Sequence, residues 1–265
     1  MKYKVGFIGC GNMASAIIGG LKSHAGIAAS EIIAADASEA ARTKAAEVLG
    51  IHTTSSNTEV STQADVLFLS VKPQYYETVI AEIQPTLPSG QIIVTIAPGK
   101  TLAWLEERLG AVKVVRTMPN TPALVGEGIT GVCKNELITD EEFAYVLKLL
   151  SSFGLAEAVP ESLMDAVVSV SGSSPAYVFL FIEAMADAAV ADGMPRTQAY
   201  RFAAQAVLGS AKMVLETGKH PAELKDMVCS PAGTTIEAVR VLEEKGFRGA
   251  VMDAMKACTA KAKGI

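Results

Sequence analysis

Residues that bind metals or form disulfides are scarce in this chain of 265 residues. Its three histidines are far apart in the sequence. The four cysteines form no C-x-x-C pair, and their spacings match no zinc site. Isolated thiols are typical of a reducing compartment, so the sequence predicts a cytoplasmic protein without a metal centre. The cysteines are Cys10, Cys133, Cys229 and Cys258.

Charge is also sparse. Only 19% of the residues are charged, the formal net charge is −5, and Lys and Arg form no run. A mildly acidic surface disfavours nucleic acid and anionic membranes as partners, because both are polyanions. Half of the residues are hydrophobic, which is enough for a sizeable core and excludes wholesale disorder.

Two apolar stretches imitate membrane-directed segments. Residues 5–21 follow a short basic start, as in a signal peptide, but we favour the alternative of a strand, a glycine turn and a helix. Residues 166–182 carry no charge, yet they contain four serines together with Gly172 and Pro175. These would break a membrane span, which needs about 20 mostly apolar residues. We therefore expect a soluble protein.

Short β-branched runs alternate with helical patterns over residues 1–160. Continuous apolar runs are typical of parallel strands that are buried on both faces, and the alternation predicts βαβ units. The sequence thus predicts an α/β fold with an N-terminal Rossmann-type parallel sheet domain. Predicted strands are 5–8, 31–35, 66–70, 92–96, 112–117 and 156–159; predicted helices are 12–23, 39–49, 74–83, 102–109 and 140–152.

Three local signals mark the ends of these helices. Gly50 and Gly110 follow two of them, where left-handed C-caps are expected. Thr139 and Glu142 have the spacing of a capping box, which predicts a helix start at that point.

Residues 161–265 show helical patterns only. One predicted helix begins at Pro175 and ends near residue 192, and a second spans about 197–216. The second is apolar nearly all round, because Phe202, Leu208, Met213 and Leu215 leave little polar surface on it. Such a helix must be buried, and a domain of about 100 residues has little interior to bury it in. We therefore expect an all-α domain whose surface packs partly against another subunit.

A G-x-G-x-x-A pattern follows the first predicted strand and begins the first helix. Gly9 permits the tight turn, Gly11 lets a pyrophosphate approach the backbone, and Ala14 lets the helix pack closely on the strand. The N–H groups at the helix start face the phosphates. This context favours a dinucleotide site over a glycine-rich turn without a ligand.

Asp36 ends the second predicted strand, 22 residues after Ala14. An acid there accepts hydrogen bonds from both ribose hydroxyls and repels the 2′-phosphate of NADP(H), which favours NADH. Ser38, Arg42 and Lys44 follow and weaken this preference, so NADPH stays open. Asp36 also fits a merely structural acid at the start of a helix.

Three loops follow strands at the edge where open α/β sheets bind ligands. Lys72, in the loop 70–73, suits a phosphate, the nicotinamide amide or a substrate carboxylate, or it is a surface lysine. The loops 97–99 and 118–122 occupy equivalent places. The prolines of the second make it rigid, which suits either a pocket wall or a structural turn.

The stretch 229–237 combines small residues with a helix start. Thr234 and Glu237 have capping-box spacing, which predicts a helix from Thr235. The N–H groups of Gly233, Thr234 and Thr235 would then be free to bind a carboxylate, with the Thr235 hydroxyl at the edge. An ordinary capped helix is the alternative. The small polar loop 171–175 has the same ambiguity.

The sequence has no G-x-S-x-G elbow and no histidine beside a candidate carboxylate. Hydride transfer needs no side-chain nucleophile, so this composition suits a nicotinamide enzyme. It suits reduction of a C=N bond especially well, because a protonated imine is already an electrophile.

Several of these segments, taken together, resemble the pyrroline-5-carboxylate reductase family over essentially the whole chain. The most specific is the stretch Leu224 to Thr235, which is similar to the family signature. The other segments that carry the resemblance are 7–14, 70–73, 118–123 and 171–177.

The resemblance implies NAD(P)H-dependent reduction of L-1-pyrroline-5-carboxylate to L-proline. It implies a Rossmann domain at 1–160 and a helical dimerisation and substrate domain at 161–265, with five dimers often forming a decamer. Thr235 would bond the ring nitrogen as the catalytic residue. Substrate contacts would involve Met227, Ser230, Gly233, Thr234 and Thr235; cofactor contacts would involve Ile8, Gly9, Cys10, Gly11, Asn12, Met13, Ala14, Asp36, Asn57, Ser70, Val71, Lys72, Pro73 and Ala97.

The chain departs from the family pattern at four places. Asp36 stands where Ser is common, which puts the usual NADPH preference in doubt. Ala232 and Ser174 replace common glycines, and Pro98 replaces a common alanine. None of these changes removes a group that the chemistry needs.

Two other functions remain open on the same architecture. A β-hydroxyacid dehydrogenase would use a lysine on a helix of the second domain, for which Lys212 is the candidate. A redox sensor would bind the dinucleotide without catalysis.

Overall fold

The computed structural model describes Lys2 to Gly264. The chain divides into two compact units. The first contains the residues up to Ser173 together with those from Cys258 on, and the second contains Ser174–Ala257. We call them the sheet unit and the helical unit.

An eight-stranded sheet forms the centre of the sheet unit, with the strand order β3-β2-β1-β4-β5-β6-β7-β8. All neighbouring strands pair in parallel except β6 and β7, which are antiparallel. This confirms the predicted Rossmann-type sheet; β3 and β7 are additional strands. The strands are β1 Tyr3–Ile8, β2 Ile32–Ala35, β3 His52–Thr54, β4 Ala64–Leu69, β5 Ile92–Thr95, β6 Lys113–Met118, β7 Gly128–Lys134 and β8 Gly154–Ala158.

Helices cover the sheet on both faces. Alternating residues of β2 show why: Ile32 and Ala34 join the core on one face, and Ile33 and Ala35 join the core on the other. Such a strand must be apolar throughout, as the sequence pattern indicates. The helices of the sheet unit are α1 Asn12–His24, α2 Glu39–Leu49, α3 Asn57–Gln63, α4 Tyr76–Ile83, α5 Leu102–Leu109, α6 Asp140–Leu150 and α7 Met164–Val167.

The predicted helix ends are partly confirmed. Gly50 is left-handed, with φ 68° and ψ 19°. Gly110 has a positive φ of 82° but an extended ψ of −156°, so the left-handed cap predicted there is wrong. Thr139 and Glu142 form the predicted capping box at the start of α6.

A partly buried ion pair links the segment after β8 to the sheet. The Arg116 guanidinium on β6, 5% exposed, donates to Glu161 Oε1 over 2.7 Å. The same oxygen accepts the N–H of Leu102 at the start of α5. Glu161 thus joins three segments.

Removing this carboxylate is expected to destabilise the fold. Glu161→Ala leaves the Arg116 charge buried without its partner, which costs about 3 kcal/mol of unfolding free energy. Urea denaturation measures it. As a control, Glu77→Ala breaks only the exposed pair with Arg108 and should cost less than about 1 kcal/mol. Equal losses in the two variants would contradict the structural role of Glu161.

The helical unit buries few of its own side chains. Between Ser174 and Ala257, the buried residues are three alanines, Ala186, Ala199 and Ala203. Phe179, Phe202 and Leu215 are 62%, 61% and 72% exposed. The helices are α8 Ser174–Ala191, α9 Arg196–Thr217, α10 Pro221–Val228, α11 Thr234–Glu244 and α12 Phe247–Ala262, and α12 extends into the sheet unit.

The sequence predicts that α9 is buried partly against another subunit, because a domain of this size has little interior. Within the single chain most of α9 is exposed. Its apolar surface can be covered only by something outside this chain's own helical unit, in line with the expected packing against another subunit.

One helical run is apolar enough for a membrane span by length and composition alone. It is Glu161–Ala191, with a mean hydropathy of 1.4. A π-helical turn at Val168–Gly172 and a bend at Ser173 interrupt it, close to Gly172 and Pro175. These irregular turns lie where the sequence predicts a break.

Candidate active site

The glycine loop between β1 and α1 has the geometry that the G-x-G-x-x-A pattern predicts. Gly9 has a φ of 105°, and its N–H donates to the Ala35 carbonyl over 2.7 Å. A Cβ on Gly9 would lie 2.7 Å from the carbonyl oxygen of Ser70. Both the backbone conformation and the close neighbour require glycine at this position.

Gly11 needs to be glycine for a different reason. Its backbone is ordinary, with φ −70° and ψ −178°, and it is the N-cap of α1. A Cβ built on Gly11 would meet no atom within 4 Å among the described residues. The protein itself thus leaves space at a helix N-terminus whose first N–H groups have no partner within the helix. This cradle fits a pyrophosphate.

Asp36 ties the glycine loop to the start of α2. Its Oδ2 accepts the Cys10 N–H and its Oδ1 accepts the Ser38 N–H, both over 2.8 Å. The Arg42 guanidinium donates to the Asp36 carbonyl over 2.7 Å and to the Ala37 carbonyl over 3.1 Å. Each carboxylate oxygen keeps a lone pair for a ribose hydroxyl, and a cation lies close by.

The Cys10 backbone N–H is engaged with Asp36 instead of pointing freely at a phosphate. Burial, together with the nearby Asp36 charge, raises the pKa of the Cys10 thiol to about 11. The thiol is therefore protonated at neutral pH.

A cleft of about 500 Å³ opens beside Asp36. Asn57, at the start of α3, lies in its wall and donates its amide to Glu82 Oε2 over 2.7 Å. The cleft also includes six residues that the sequence did not indicate as site residues, namely Ala35, Ala37, Tyr75, Thr78, Val79 and Glu82. The predicted cofactor residues that it brings together are Ile8, Gly9, Gly11, Asp36, Asn57, Ser70, Val71 and Lys72.

A second cleft, of about 320 Å³, shares Ser70, Val71 and Lys72 with the first. It contains three further predicted cofactor residues, Met13, Pro73 and Ala97. Cys10 and Ala14 are buried, and Asn12 is exposed at the start of α1; these three line neither cleft. The cleft also contains residues of the loops that the sequence indicated, namely Pro98, Met118, Pro119, Asn120, Thr121 and Gly172, together with Ile96, which the sequence did not indicate.

The two clefts lie where an open α/β sheet is expected to bind ligands. β1 pairs with β2 on one side and β4 on the other, so the order of strands reverses at β1. The loops after β1, β2, β4, β5 and β6 all contribute to the clefts. This is the topological switch point at the carboxyl ends of the strands.

Some predicted site residues form hydrogen bonds that hold the loops of the clefts in place. The Ser70 hydroxyl donates to the carbonyls of Ile8 and Gly9, over 3.0 and 2.9 Å, and so holds the glycine loop. Asn120 donates to the Ser171 carbonyl over 3.1 Å and accepts the Ile129 N–H over 2.9 Å. The loop 118–122 is thus a pinned wall of the second cleft.

In the helical unit, the small-residue stretch forms a tight turn before α11. Ala232 is left-handed, with φ 57°, and Gly233 is the N-cap of the helix. Two predictions are wrong here. The helix begins at Thr234 instead of Thr235, and Glu237 pairs with Arg240 instead of forming a capping box with Thr234.

The predicted anion site also changes in detail. The Gly233 N–H is not free, because it donates to the Ser230 carbonyl over 3.0 Å. Thr234 and Thr235 occupy the first turn of α11, where N–H groups have no acceptor within the helix. A Cβ on Gly233 would collide with the Ser230 hydroxyl, so glycine keeps the turn closed. Met227 is 63% exposed on α10, and Ser230 is also exposed.

Two other sequence predictions concern a metal site and Lys212. From Lys2 to Gly264, no group of three or more His, Cys, Asp or Glu side chains is placed to hold a metal ion. Lys212 is solvent-exposed and forms an ion pair with Glu216 over 3.4 Å.

Both parts of the chain match models of known protein families. Residues 161–265 match the family model for pyrroline-5-carboxylate reductase dimerisation, and residues 4–99 match the model described as NADP oxidoreductase coenzyme F420-dependent. Pyrroline-5-carboxylate reductase from Escherichia coli is 54% identical, covering 100% of this chain and 99% of its own. The chain belongs to the pyrroline-5-carboxylate reductase family.

Other members of the reductase family extend the match. The reductase from Methanosarcina acetivorans is 43% identical over 99% of this chain and 97% of its own. The crystal structure of the Plasmodium falciparum reductase with NADP bound superposes with a TM-score of 0.90 at 33% identity, covering 100% of this chain and 98% of that one. The chain is therefore an NAD(P)-dependent oxidoreductase that forms a homo-oligomer and acts on a small molecule.

Proposed function

We propose that this protein reduces the C=N bond of L-1-pyrroline-5-carboxylate with NAD(P)H, giving L-proline in the last step of proline biosynthesis. The observation that carries the proposal is the 54% identity to a named reductase over 100% of the chain, which includes both the glycine loop and the turn before α11. The open cradle at Gly11 independently supports dinucleotide binding.

The two parts of the chain have different proposed roles. We assign dinucleotide binding to residues 1–160, and dimerisation and substrate binding to residues 161–265. The matches of the two family models, at 4–99 and 161–265, support this assignment.

In the sheet unit, the cofactor would span the two clefts. Asp36 would bind the ribose of the adenosine half in the first cleft, because an acid after the second strand has this role in Rossmann domains. The N–H groups at the start of α1 would bind the pyrophosphate across Gly11. The nicotinamide end would then lie in the second cleft, beside Ala97 and Met118.

In the helical unit, the start of α11 would hold the substrate. The N–H groups of Thr234 and Thr235 would bind its carboxylate, favoured by the positive end of the helix dipole. The Thr235 hydroxyl would bond the ring nitrogen and orient the imine. Met227 and Ser230 would complete the substrate contacts.

The reaction needs few protein groups. When bound, NAD(P)H would supply a hydride from C4 of its nicotinamide to the imine carbon, the ring carbon that becomes C5 of proline. The ring nitrogen, protonated in the reactive imine, becomes the amine of proline. Catalysis by this chain is mainly positioning, because the electrophile is already activated.

We further propose a preference for NADH over NADPH. The Asp36 carboxylate would repel a 2′-phosphate, although Arg42 beside it reduces the effect. Two charges a few ångströms apart near a protein surface interact by up to about 4 kcal/mol, and about 1.4 kcal/mol is enough for a tenfold change in affinity.

Asp36→Ser is therefore expected to raise the ratio of kcat/KM for NADPH to that for NADH by at least about tenfold. Steady-state kinetics with each cofactor measures the ratio. Asp36→Asn is the control for the hydrogen bonds to Cys10 and Ser38, since it removes the charge and keeps an acceptor. An unchanged ratio in both variants would mean that the charge of Asp36 does not set the preference.

For the assembly, we propose a dimer formed through the C-terminal helices, with a decamer of five dimers as the larger form. The exposed Phe179, Phe202 and Leu215 support it, because such apolar side chains are stabilised by burial against a partner. We place this soluble protein in the cytoplasm, in line with its unpaired cysteines. Its partners would not include nucleic acid or membranes.

Isotope transfer tests the proposed reaction. With NADH deuterated at C4 and L-1-pyrroline-5-carboxylate, the product should be proline carrying deuterium at C5, seen by NMR. Proline without the label would overturn the proposed hydride transfer.

A further inference from the structure

A chain of buried hydroxyl groups crosses the sheet beneath the second cleft. Tyr76, Thr95 and Thr117 are 0%, 0% and 1% exposed. The neighbouring core is otherwise apolar, and a buried hydroxyl is unfavourable there unless it is hydrogen-bonded.

The direction of each hydrogen bond follows from the donors available. The Tyr76 hydroxyl donates to the Leu69 carbonyl over 2.6 Å. Since tyrosine has only one hydroxyl proton, the Thr95 hydroxyl must donate in the 2.8 Å contact between the two. Thr95 Oγ1 in turn accepts the N–H of Ala97 over 3.4 Å. The order is Ala97 to Thr95 to Tyr76 to Leu69.

A second branch reaches the next strand. The Thr117 hydroxyl on β6 donates to the Thr95 carbonyl over 2.8 Å. The three hydroxyls therefore connect the carboxyl ends of β4, β5 and β6. Each of those ends leads directly into a wall of the second cleft, at Ser70, Ala97 and Met118.

Neighbouring groups hold the row of buried hydroxyls in place. The Tyr76 ring packs against Trp104 on α5 with a centroid distance of 6.5 Å. Burial also holds the pKa of the Tyr76 hydroxyl well above its usual range, so it stays a donor. Its partners and its orientation are thus the same at every physiological pH.

We propose that Tyr76 and Thr95 are positioning residues, which hold the walls of the second cleft at the spacing that the nicotinamide end of the cofactor requires. This inference rests on the proposed function, because it assumes that the second cleft receives the reacting end. Neither hydroxyl touches the cofactor; both act through Leu69 and Ala97.

Tyr76→Phe in the full-length enzyme tests the proposal. It removes only the hydroxyl that joins Thr95 to Leu69. We expect kcat to fall by roughly 5- to 30-fold, since small displacements of reacting groups have large kinetic effects. The Ki of ADP-ribose, which lacks the nicotinamide, should change less than about twofold, because Asp36 and Gly11 in the first cleft are untouched.

Two further variants separate positioning from stability. Thr95→Val should lower kcat as Tyr76→Phe does. Thr95→Ser keeps the hydroxyl and should have the kcat of the wild type. These two variants test the proposal by themselves if Tyr76→Phe does not fold. Tyr3→Phe is the matched control, because Tyr3 is a buried tyrosine of the same core at the opposite, amino end of β1. It should leave kcat unchanged.

The outcomes are distinct. An unchanged kcat in Tyr76→Phe and Thr95→Val, or a weakening of ADP-ribose in parallel with kcat, would overturn the positioning role. If the wild type turned over no pyrroline-5-carboxylate, the proposed function would fail by itself. Binding would then test the positioning role. The variants should lower the affinity for NADH and leave the affinity for ADP-ribose unchanged. An equal loss of affinity for both ligands would overturn the positioning role.

Discussion

Gly11→Ala is expected to weaken NAD(P)H binding by about 100-fold and to leave the fold intact. The added methyl group would occupy the cradle at the start of α1, where the protein places no atom of its own. Losing the charge-assisted hydrogen bonds to the pyrophosphate costs about 3 kcal/mol, which corresponds to about 100-fold. Fluorescence titration of NADH measures the affinity.

The fold should tolerate this substitution. The Gly11 backbone, with φ −70° and ψ −178°, suits any residue, and alanine in place of glycine at an N-cap costs about 1 kcal/mol. We expect Tm to change by less than about 4 °C.

Gly19→Ala is the matched control for Gly11→Ala. Gly19 lies on the same helix, and a Cβ there also meets no described atom within 4 Å. This variant should bind NADH like the wild type and be slightly more stable, because alanine favours a helix interior. Normal NADH binding by Gly11→Ala would show that the phosphates do not lie at the glycine loop.

Thr235→Ala should lower kcat by at least tenfold, and by up to about 10²–10³-fold if its hydroxyl is the principal donor that orients the imine nitrogen. The N–H groups at the start of α11 remain, so the KM for pyrroline-5-carboxylate should rise less than kcat falls. Steady-state kinetics at saturating cofactor separates the two effects.

The chain offers two controls for Thr235→Ala. Thr235→Ser keeps the hydroxyl and should retain most of the activity. Thr197→Ala changes the threonine at the equivalent second position of α9, which is exposed, and should leave kcat unchanged. Wild-type kinetics in Thr235→Ala would remove Thr235 from the mechanism.

Much of the sheet unit was predictable because its signals are local. The spacing from Gly9 to Ala14 predicts a turn, an open helix N-terminus and a close helix contact at once, and each is present in the structure. Continuous apolar runs likewise located β1, β2, β4, β5 and β6 within about two residues.

The strands that were missed carry weaker patterns. β3 has three residues, His52–Thr54, with little apolar character, because it lies at the edge of the sheet. β7 contains Gly128 and Gly131, and glycines argue against a strand. Both glycines are required by packing: a Cβ at Gly131 would lie 2.8 Å from Val167. Contacts with distant segments cannot be deduced from local sequence.

Some residues of the first cleft also could not be predicted from local sequence. Glu82 belongs to α4 and meets Asn57 from α3 only because the two helices pack side by side. Periodicity predicts that α4 exists, but not which neighbour its polar face meets. A search for polar residues on the helix after a cofactor loop would have found Glu82.

The wrong prediction of a capping box at the start of α11 has a local cause. Capping-box spacing at Thr234 and Glu237 was correct as a pattern, but Glu237 also has Arg240 one turn further on. That ion pair and the left-handed turn at Ala232 move the N-cap to Gly233. Two competing local interactions of similar strength cannot be ranked from sequence.

Oxidation of the cofactor, followed at 340 nm with L-1-pyrroline-5-carboxylate and with NADH and NADPH in parallel, decides whether this protein is a pyrroline-5-carboxylate reductase. We expect rapid turnover with formation of proline, and a higher kcat/KM with NADH. Absence of turnover with either cofactor, in protein shown by titration to bind one of them, would contradict it.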